Sequence, residues 1–368
     1  MRVITKKLFD LSPRENNTRN SEGDFFRFTD GRIMFAYCRF TGSSWDDNIH
    51  SDICAVYAND GENFDTENIC TLVKPERLGG HNAMCVTLRP CEKGVRLYFL
   101  LKKESENASV PLRSEYYYID SIDGYDFSGE PVLCFPKIHE SYYVVNNNRV
   151  EILESGRIII PVANHKATLC EGHYHYAAGV DKFVYSDDGG RTFNEDVQEL
   201  SLPIDGNRAG LQEPGVIELP DGRLYAYFRT DTGYQYESFS NDQGITWTDP
   251  KPSQFESPLS PMRIAKNPYS KKYYAIRNPY MERPESPEHP RFRNTWGRTP
   301  LAISESTDGI HYSSFELIES DLHYGYCYPA IFFLSENEAL VSYCSGGVDL
   351  IPLQRTTVTK ISIKGDSF

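Results

Sequence analysis

The chain has 368 residues, of which 39% are hydrophobic and 13% aromatic, and its 52 acidic and 38 basic side chains give a formal net charge of −14 at pH 7. This apolar content is ample for a packed core, while the acidic excess disfavours a protein that tracks nucleic-acid phosphates. No apolar run approaches the roughly 20 residues that cross a bilayer, and no apolar signal region is visible at the start of the sequence. We therefore expect a folded chain that binds neither nucleic acid nor membrane.

The nine cysteines are scattered singly, and no two of them form a C-x-x-C pair. An odd number in this arrangement fits neither a zinc ribbon nor a disulfide framework. Buried free thiols in a reducing compartment are the simplest interpretation, and the sequence thus predicts a cytoplasmic location.

Short strands make up the predicted elements from the first residues onward. Residues 96–101, 157–162 and 224–228 are rich in β-branched and aromatic side chains and are bounded by turn residues, which is typical of strands. No stretch keeps a helical period over three turns. The composition of these runs therefore favours an all-β fold.

Glycine-centred turns separate pairs of these strands at regular intervals. The clearest turns are centred on Gly31, Gly94, Gly156 and Gly222, which lie 63, 62 and 66 residues apart. Looser equivalents occur at residues 269–272 and 335–338. Six units of roughly 60 residues therefore fill the chain.

A second motif, S-x-D-x-G-x-T-aromatic, recurs between these turns. Its full form occupies residues 186–193 and 240–247, and shorter forms occupy 121–127, 306–312 and, without the serine, 58–64. Aspartate and serine side chains bond the backbone of such a turn, and glycine supplies the positive φ. Five copies in step with the glycine turns indicate a repeat architecture.

Four short strands in each of six units predict a six-bladed β-propeller with four-stranded antiparallel blades. The last unit holds only three strands, at residues 328–334, 338–344 and 356–363. We expect residues 2–8 to supply its fourth strand, so that the N- and C-terminal strands pair and close the ring. The whole chain, residues 1–368, is then one domain.

A propeller brings the starts of its inner strands and the ends of its second strands to one end of the central channel. Aligning the repeats places there a set of polar and aromatic side chains, more than packing needs: Glu22, Arg39, Asp46, Asp47, His81, Asn82, Asn146, Arg149, His165, Gln212, Glu213, Arg229, Arg263, Tyr326 and Tyr328. Trp45 and Lys102 belong to the same end. A concave, polar and aromatic surface suits a sugar.

The six units and the S-x-D-x-G-x-T-W turns resemble those of the sialidase superfamily of propellers. Residues 212–219, followed by Arg229, resemble the sialidase strand pair that carries a glutamate and a substrate-binding arginine. Residues 298–304 resemble the strand that opens with another such arginine, Arg298. Residues 142–147 and 257–261 are similar to a bacterial subgroup of sialidase-like glycosidases.

This resemblance implies a mechanism. Tyr328 in Tyr-Pro-Ala-Ile would be the nucleophile, and Glu213 would take its proton. Asp46 or Asp47, in the loop of residues 45–53, would be the acid/base residue. The implied function is an exo-acting, retaining hydrolysis of a terminal sugar that carries hydroxyl groups or a negative charge, held by the two arginines.

One departure from sialidases concerns the substrate. Their first inner strand begins with Arg-Ile-Pro, whose arginine completes a clamp on the sugar carboxylate. Counting back from Gly31 reaches Ser21 or Glu22, whereas Arg19 lies two or three positions away. A carboxylate at Glu22 would repel that of sialic acid. The resemblance therefore supports the fold more strongly than it supports a sialic acid substrate.

Two other functions stay open. Asp46 or Asp47 could work with Glu213 as a pair of carboxylates on a neutral or uronic sugar, or the propeller could bind a glycan or a protein without catalysis. His173 and His175 share one strand face but lack a metal-binding pattern. We expect no metal and no cofactor, with an oligosaccharide or glycoside as the partner.

Overall fold

The computed structural model describes residues 1–104, 112–137, 142–165, 167–170, 173–203, 208–281 and 295–365. Within these ranges the side chains of residues 167–170 and 173–176 are not described, so the expectation about His173 and His175 lies outside the described part. Among the described residues, no helix combines the length and apolar character needed to span a bilayer.

Strands dominate the described chain, which contains 26 of them. The first sheet has eight strands: β2 (Arg19–Arg27), β3 (Ile33–Phe40), β4 (Ser51–Ala58), β5 (Cys70–Val73), β6 (Asn82–Cys91), β7 (Gly94–Glu104), β8 (Leu112–Ser121) and β9 (Val132–Leu133). The second sheet consists of β10 (Tyr142–Val144), β11 (Glu151–Ile152), β12 (Ile158–His165) and β15 (Val180–Ser186). A two-stranded sheet pairs β13 (Ala167–Cys170) with β14 (His173–Tyr176).

Three further sheets follow, each of four strands. One contains β16 (Gln212–Glu218), β17 (Leu224–Arg229), β18 (Tyr234–Ser240) and β19 (Lys251–Glu256). The next contains β20 (Arg263–Lys266), β21 (Tyr273–Arg277), β22 (Leu301–Ser306) and β23 (Glu316–Glu319). The last contains β24 (Gly325–Phe333), β25 (Glu338–Gly346), β26 (Arg355–Lys364) and β1 (Arg2–Leu11). A 3-10 helix (Pro75–Leu78) precedes β6.

The all-β propeller is the observed fold, with four separate four-stranded sheets. The eight-stranded sheet is made of β2–β5 and β6–β9, which one parallel pair of residues joins, Ser51 with Asn82. In the last sheet, β1 runs antiparallel to β26 from Arg2 opposite Lys364 to Leu11 opposite Thr356. The first and last strands of the chain are therefore neighbours.

Four of the inner strands, β2, β6, β16 and β24, share a bulge near their starts. The pairing register shifts after Ser21, Met84, Gln212 and Cys327. Just after each shift begins, a residue other than glycine takes a left-handed φ: 58° at Glu22, 62° at Cys85, 51° at Glu213 and 52° at Tyr328. A bulge re-aims the side chain it carries, and left-handed conformations cost energy in side chains of this size. Four strands thus have the same strained bulge at one end of the molecule.

Glycine is needed next to one of these bulges. A Cβ on Gly215 would lie 2.1 Å from Cζ of Tyr227, a separation that real side chains do not tolerate. The Tyr227 hydroxyl occupies that space and accepts the backbone N–H of Ile264 at 3.1 Å, linking two sheets. Gly215 therefore lets the strand that carries Glu213 pack closely on its neighbour.

The repeated turns are held together by their own side chains. In one copy, Ser186 donates to Asp188 at 2.8 Å, and Asp188 accepts the Thr192 hydroxyl at 2.7 Å. The copy at 240–247 repeats these bonds, and its Trp247 ring stacks on Phe183 with centroids 4.2 Å apart. These turns tie one sheet to the next on the outer part of the fold and have no place in the site.

Candidate active site

A cavity of about 310 Å³ lies where the four bulges meet. Its lining is contributed by several sheets and two loops: Glu22, Trp45, Asp47, Met84, Cys85, Leu100, Lys102, Tyr142, Val144, Asn146, His165, Gln212, Glu213, Arg229, Trp296, Arg298, Tyr328 and Leu353. All four left-handed bulge residues are in this set. The strained backbone therefore serves to turn four side chains toward one space.

Tyr328 and Glu213 are in direct contact there. The Tyr328 hydroxyl donates to Oε1 of Glu213 at 2.8 Å, and the Arg229 guanidinium reaches the same oxygen at 2.7 Å. Oε2 of Glu213 and Nε of Arg229 are buried without a hydrogen-bond partner among the described residues. This group has hydrogen-bonding capacity left for a ligand.

The two reactive groups have shifted pKa values. Burial raises the pKa of Glu213, but the Arg229 guanidinium, with Arg298 and the Tyr328 hydroxyl, outweighs burial and brings the pKa below its usual value. Burial and the neighbouring Glu213 carboxylate raise the pKa of Tyr328 well above its usual value. At neutral pH the pair is thus a neutral phenol hydrogen-bonded to a carboxylate, which is the arrangement of a nucleophile with its base.

Arg298 also lies beside Tyr328. Its guanidinium carbon is 5.8 Å from the centre of the Tyr328 ring and 5.2 Å from that of Trp296. Its Nε donates to the Leu259 carbonyl at 3.3 Å, whereas its Nη1 is buried without a partner among the described residues. Arg298 therefore offers a charged donor to an acceptor in the cavity.

Arg19, which the sequence placed two or three positions away from the expected arginine, lies behind the part of the cavity wall formed by Glu22 and Asp47. Its side chain is fully buried and donates to Ser21 Oγ at 2.9 Å, to Glu22 Oε1 at 2.8 Å and to Asp47 Oδ1. It also donates to the Trp45 carbonyl at 3.3 Å. Arg19 is therefore satisfied within the protein, and Glu22 stands between it and the cavity.

Two side chains hold the loop that carries Asp47 in place. Lys102 donates to the Asp47 carbonyl at 2.9 Å, and Asn82 donates to the same carbonyl at 3.1 Å. Asp46 instead accepts the Asn48 N–H at 2.8 Å within the loop and does not line the cavity. Of the two neighbouring aspartates, only Asp47 faces the described pocket.

Charge balance sets the protonation of the two carboxyls bridged by Arg19. Burial raises the pKa of Glu22, and Arg19 only partly offsets this. For Asp47, burial raises the pKa, but Arg19 and Lys102 outweigh it, so its pKa is lowered. The Asp47 side chain keeps 54% of its surface accessible, so water still screens these charges. In the free protein Asp47 is a carboxylate.

His165, Asn146 and Gln212 also line the cavity. His165 Nδ1 lies 3.1 Å from the Ala177 carbonyl, and burial lowers its pKa, so it is a neutral imidazole. Oδ1 of Asn146 is buried without a partner among the described residues. These positions, which the repeat predicted, add neutral polar groups to the wall.

The remaining expected residues do not line the pocket. Arg149 donates to the Met262 carbonyl at 2.5 Å, and Arg263 pairs with Glu151 at 2.7 Å beside a second cavity at the other end of the channel. Tyr326 donates to the Asp321 carbonyl at 3.2 Å. Arg39 and His81 likewise lie outside the lining, and Asn82 acts only through the loop. For Tyr326 the adjacent bulge after Cys327 explains the difference, because a bulge breaks the simple alternation of side chains.

Sequence reasoning missed Arg19 as a neighbour of the site, and Trp296 and Leu353 as part of its wall. The signal for Trp296 was its position two residues before Arg298. Its ring centroid lies 6.2 Å from that of Trp45, whose side chain is 45% exposed. Two tryptophans therefore flank the mouth.

The family comparison concerns most of the chain. Residues 73–341 match the family described as a BNR repeat-like domain. No curated protein matches the chain. Among solved structures, a protein of unknown function from Dyadobacter fermentans has a TM-score of 0.70 and 17% identity over 98% of this chain and 99% of that one.

Sialidases are similar in fold as well. A Hadza microbial sialidase has a TM-score of 0.67 and 12% identity over 94% of this chain and 66% of its own. Trypanosoma rangeli sialidase in complex with 2,3-difluorosialic acid has a TM-score of 0.64 and 12% identity over 98% and 59%. This chain thus spans about two thirds or less of those sialidases, and at such identities the likeness shows the fold alone. The chain belongs to the BNR repeat-like family and has the β-propeller fold that sialidases share.

Proposed function

We propose that this protein is an exo-acting glycoside hydrolase that cleaves a terminal sugar from an oligosaccharide. The observation that carries the proposal is the hydrogen bond from Tyr328 to Glu213, with Arg229 on the same carboxylate oxygen. A buried phenol–carboxylate pair in a sugar-sized cavity prepares a nucleophile, and structural packing alone does not require it.

The first step forms a bond from the Tyr328 oxygen to the anomeric carbon. The phenol proton passes to Oε1 of Glu213, and the glycosidic C–O bond breaks with its electron pair on the leaving oxygen. Asp47 donates a proton to that oxygen. In the second step Asp47 takes a proton from water, which attacks the anomeric carbon, and Tyr328 leaves with its proton returned by Glu213. The stereochemical outcome is retention.

The proton on Asp47 is the demanding part of this scheme. The lowered pKa of Asp47 leaves few free molecules with that proton at neutral pH. A sugar that fills the cavity removes water from the half-exposed carboxyl, and desolvation favours its neutral form. The reaction is therefore expected to favour acidic pH or substrates with good leaving groups.

The sugar is expected to use donors and acceptors that the protein leaves free. Nη1 of Arg298 would bind one hydroxyl or carboxylate of the terminal sugar. Glu22 stands in the cavity wall, so hydroxyl donors suit that side better than a second anionic group. Trp45 and Trp296 at the mouth offer aromatic faces to the rest of the oligosaccharide.

We also infer that the ring has six blades. The count follows when β2–β5 and β6–β9 are taken as two blades, since a single parallel residue pair links them. The antiparallel pairing of β1 with β26 supports closure of the ring by the two ends of the chain.

The eight cysteines with described side chains are free thiols, which supports a reducing, cytoplasmic location.

A non-catalytic glycan-binding propeller is the second candidate. The observation that favours it is that the lowered pKa values of Asp47 and Glu213 leave both as carboxylates, so neither is ready to donate a proton. A panel of aryl glycosides and free oligosaccharides separates the two functions. The hydrolase proposal expects turnover of at least one glycoside, whereas saturable binding with no product after days supports the binding protein.

A further inference from the structure

We propose that His50, Asp52 and Glu76 bind a divalent transition-metal ion of the Zn²⁺ class at the base of the loop that carries Asp47. Each residue can offer one ligand atom, and these atoms all lie within 4.8 Å of one another. The site lies outside the cavity and takes no part in the proposed reaction. It is independent of that reaction and goes beyond it.

The imidazole is the strongest indication of an ion. Nε2 of His50 lies 3.2 Å from Oδ1 of Asp52, and Nδ1 lies 3.2 Å from Oε1 of Glu76. A neutral imidazole has only one N–H, and carboxylate oxygens only accept. A neutral ring can therefore donate to only one of the two carboxylates, which leaves its other nitrogen with a lone pair for a metal ion.

The spacing of the donor atoms fits zinc. Bonds of about 2.0–2.1 Å in a tetrahedral site separate neighbouring ligand atoms by roughly 3.3 Å. One imidazole binds an ion through one nitrogen, so one N···O distance is compared with this edge, and the 3.2 Å between Nε2 of His50 and Oδ1 of Asp52 is close to it. Glu76 contacts the other ring nitrogen, and its exposed side chain would rotate to become the third ligand, whose donor atom lies within 4.8 Å of the other two.

The donor set decides the class of ion. One imidazole with two carboxylates gives a mixed nitrogen and oxygen site, which suits Zn²⁺, whereas Ca²⁺ and Mg²⁺ prefer oxygen ligands alone. Two carboxylates also balance the charge of a divalent ion. Lys74 is the basic neighbour that acts on Asp52, and His81 is the other imidazole near His50.

The site is accessible and joins separate elements. The exposed fractions of the side chains are 34% for His50, 15% for Asp52 and 62% for Glu76, so an ion can enter and keep water as a fourth ligand. Asp52 lies on β4, and Glu76 lies on the 3-10 helix (Pro75–Leu78). His50 ends the loop, where its carbonyl accepts the Thr41 N–H at 3.0 Å. Bound metal would therefore fix the end of the Asp47 loop to the helix.

The test is calorimetric titration of metal-free full-length protein with Zn²⁺ and, separately, with Ca²⁺. The proposal expects that His50→Asn and Glu76→Gln each lose one bound Zn²⁺ relative to the wild type. His311→Asn is the matched control, because His311 forms an exposed pair with Asp308 at 2.7 Å but has no third ligand. This variant should keep the full number of zinc ions.

A second measurement distinguishes loss of the zinc site from misfolding of a variant. Zn²⁺ should raise the Tm of the wild type and of His311→Asn but not of Glu76→Gln, while all three variants keep the same far-ultraviolet circular dichroism. Equal zinc stoichiometry in all variants would overturn the proposal, and so would Ca²⁺ binding that His50→Asn leaves unchanged. No zinc binding by the wild type would also overturn it.

Discussion

The two sides of the cavity differ in how their charges are satisfied. On one side, Glu213, Arg229 and Arg298 each have a buried polar atom without a partner among the described residues. On the other, Arg19 reaches four acceptors, including Glu22 and Asp47. The first side has donors and an acceptor left for a ligand, whereas on the second side Arg19 and its partners satisfy one another. Charge near a pocket therefore indicates binding only where hydrogen bonds remain unmade.

The largest expected effect is on the open side, at Tyr328. The Tyr328→Phe variant removes the nucleophilic oxygen and should lower kcat by about 10³-fold or more. Steady-state kinetics with the best aryl glycoside measures this. Tyr324→Phe, a nearby tyrosine outside the pocket lining, is the control. Retention of most activity in Tyr328→Phe would instead support direct use of two carboxylates.

A smaller effect is expected for Asp47→Asn, and it should depend on the leaving group. The variant cannot protonate the leaving oxygen, so substrates with poor leaving groups should lose about 10²-fold in kcat/KM. Activated aryl glycosides need little protonation and should lose less than about tenfold. A series of aryl glycosides with different phenol pKa values provides the measurement. An equal loss across the series would show that Asp47 is not the acid.

The pH dependence follows from the two lowered pKa values. The reaction needs Glu213 deprotonated and Asp47 protonated, and both free groups have pKa values below their usual range near 4. As pH rises above the Asp47 pKa, kcat/KM on poor leaving groups should fall about tenfold per pH unit. The fall should vanish in Asp47→Asn. A profile that rises toward neutral pH would contradict these roles.

Two arginine variants test the difference between the two sides of the cavity most directly. Arg298→Met should raise KM by about tenfold with little change in Tm, because its Nη1 has no partner among the described residues and its Nε bond to the Leu259 carbonyl is long, at 3.3 Å. Arg19→Met should lower the free energy of unfolding by about 3 kcal/mol, because it leaves the buried Glu22 without its cation. Thermal melts and kinetics on both variants measure this. Equal losses of stability in the two would remove the distinction.

Four predicted residues line the cavity, Glu213, Arg229, Arg298 and Tyr328. The repeat indicated the strand ends of Glu213, Arg229 and Tyr328, and the resemblance to sialidases indicated Arg298. Their roles in chemistry stay predictions, as does the interpretation of the chain as one domain. The repeat was therefore sufficient to predict which strand ends meet at the cavity.

Bulges and loops explain why other side-chain positions could not be predicted from the sequence. Simple alternation puts Tyr326 and Tyr328 on one face, yet the left-handed φ of Tyr328 turns it into the cavity and leaves Tyr326 packed against Tyr343. Counting residues also could not show that Arg19 reaches Asp47, because a loop brings them together across 28 positions. Local conformation of this kind has no clear signal in one sequence.

The most direct measurement of the central claim is mass spectrometry of the protein quenched during turnover of a 2-fluoro aryl glycoside. The sugar should be one that the aryl glycoside panel identifies as a substrate. The account predicts an increase of one sugar mass on the peptide that contains Tyr328, and no increase in Tyr328→Phe. A sugar attached to the peptide that contains Glu213, or turnover without any covalent sugar, would contradict it.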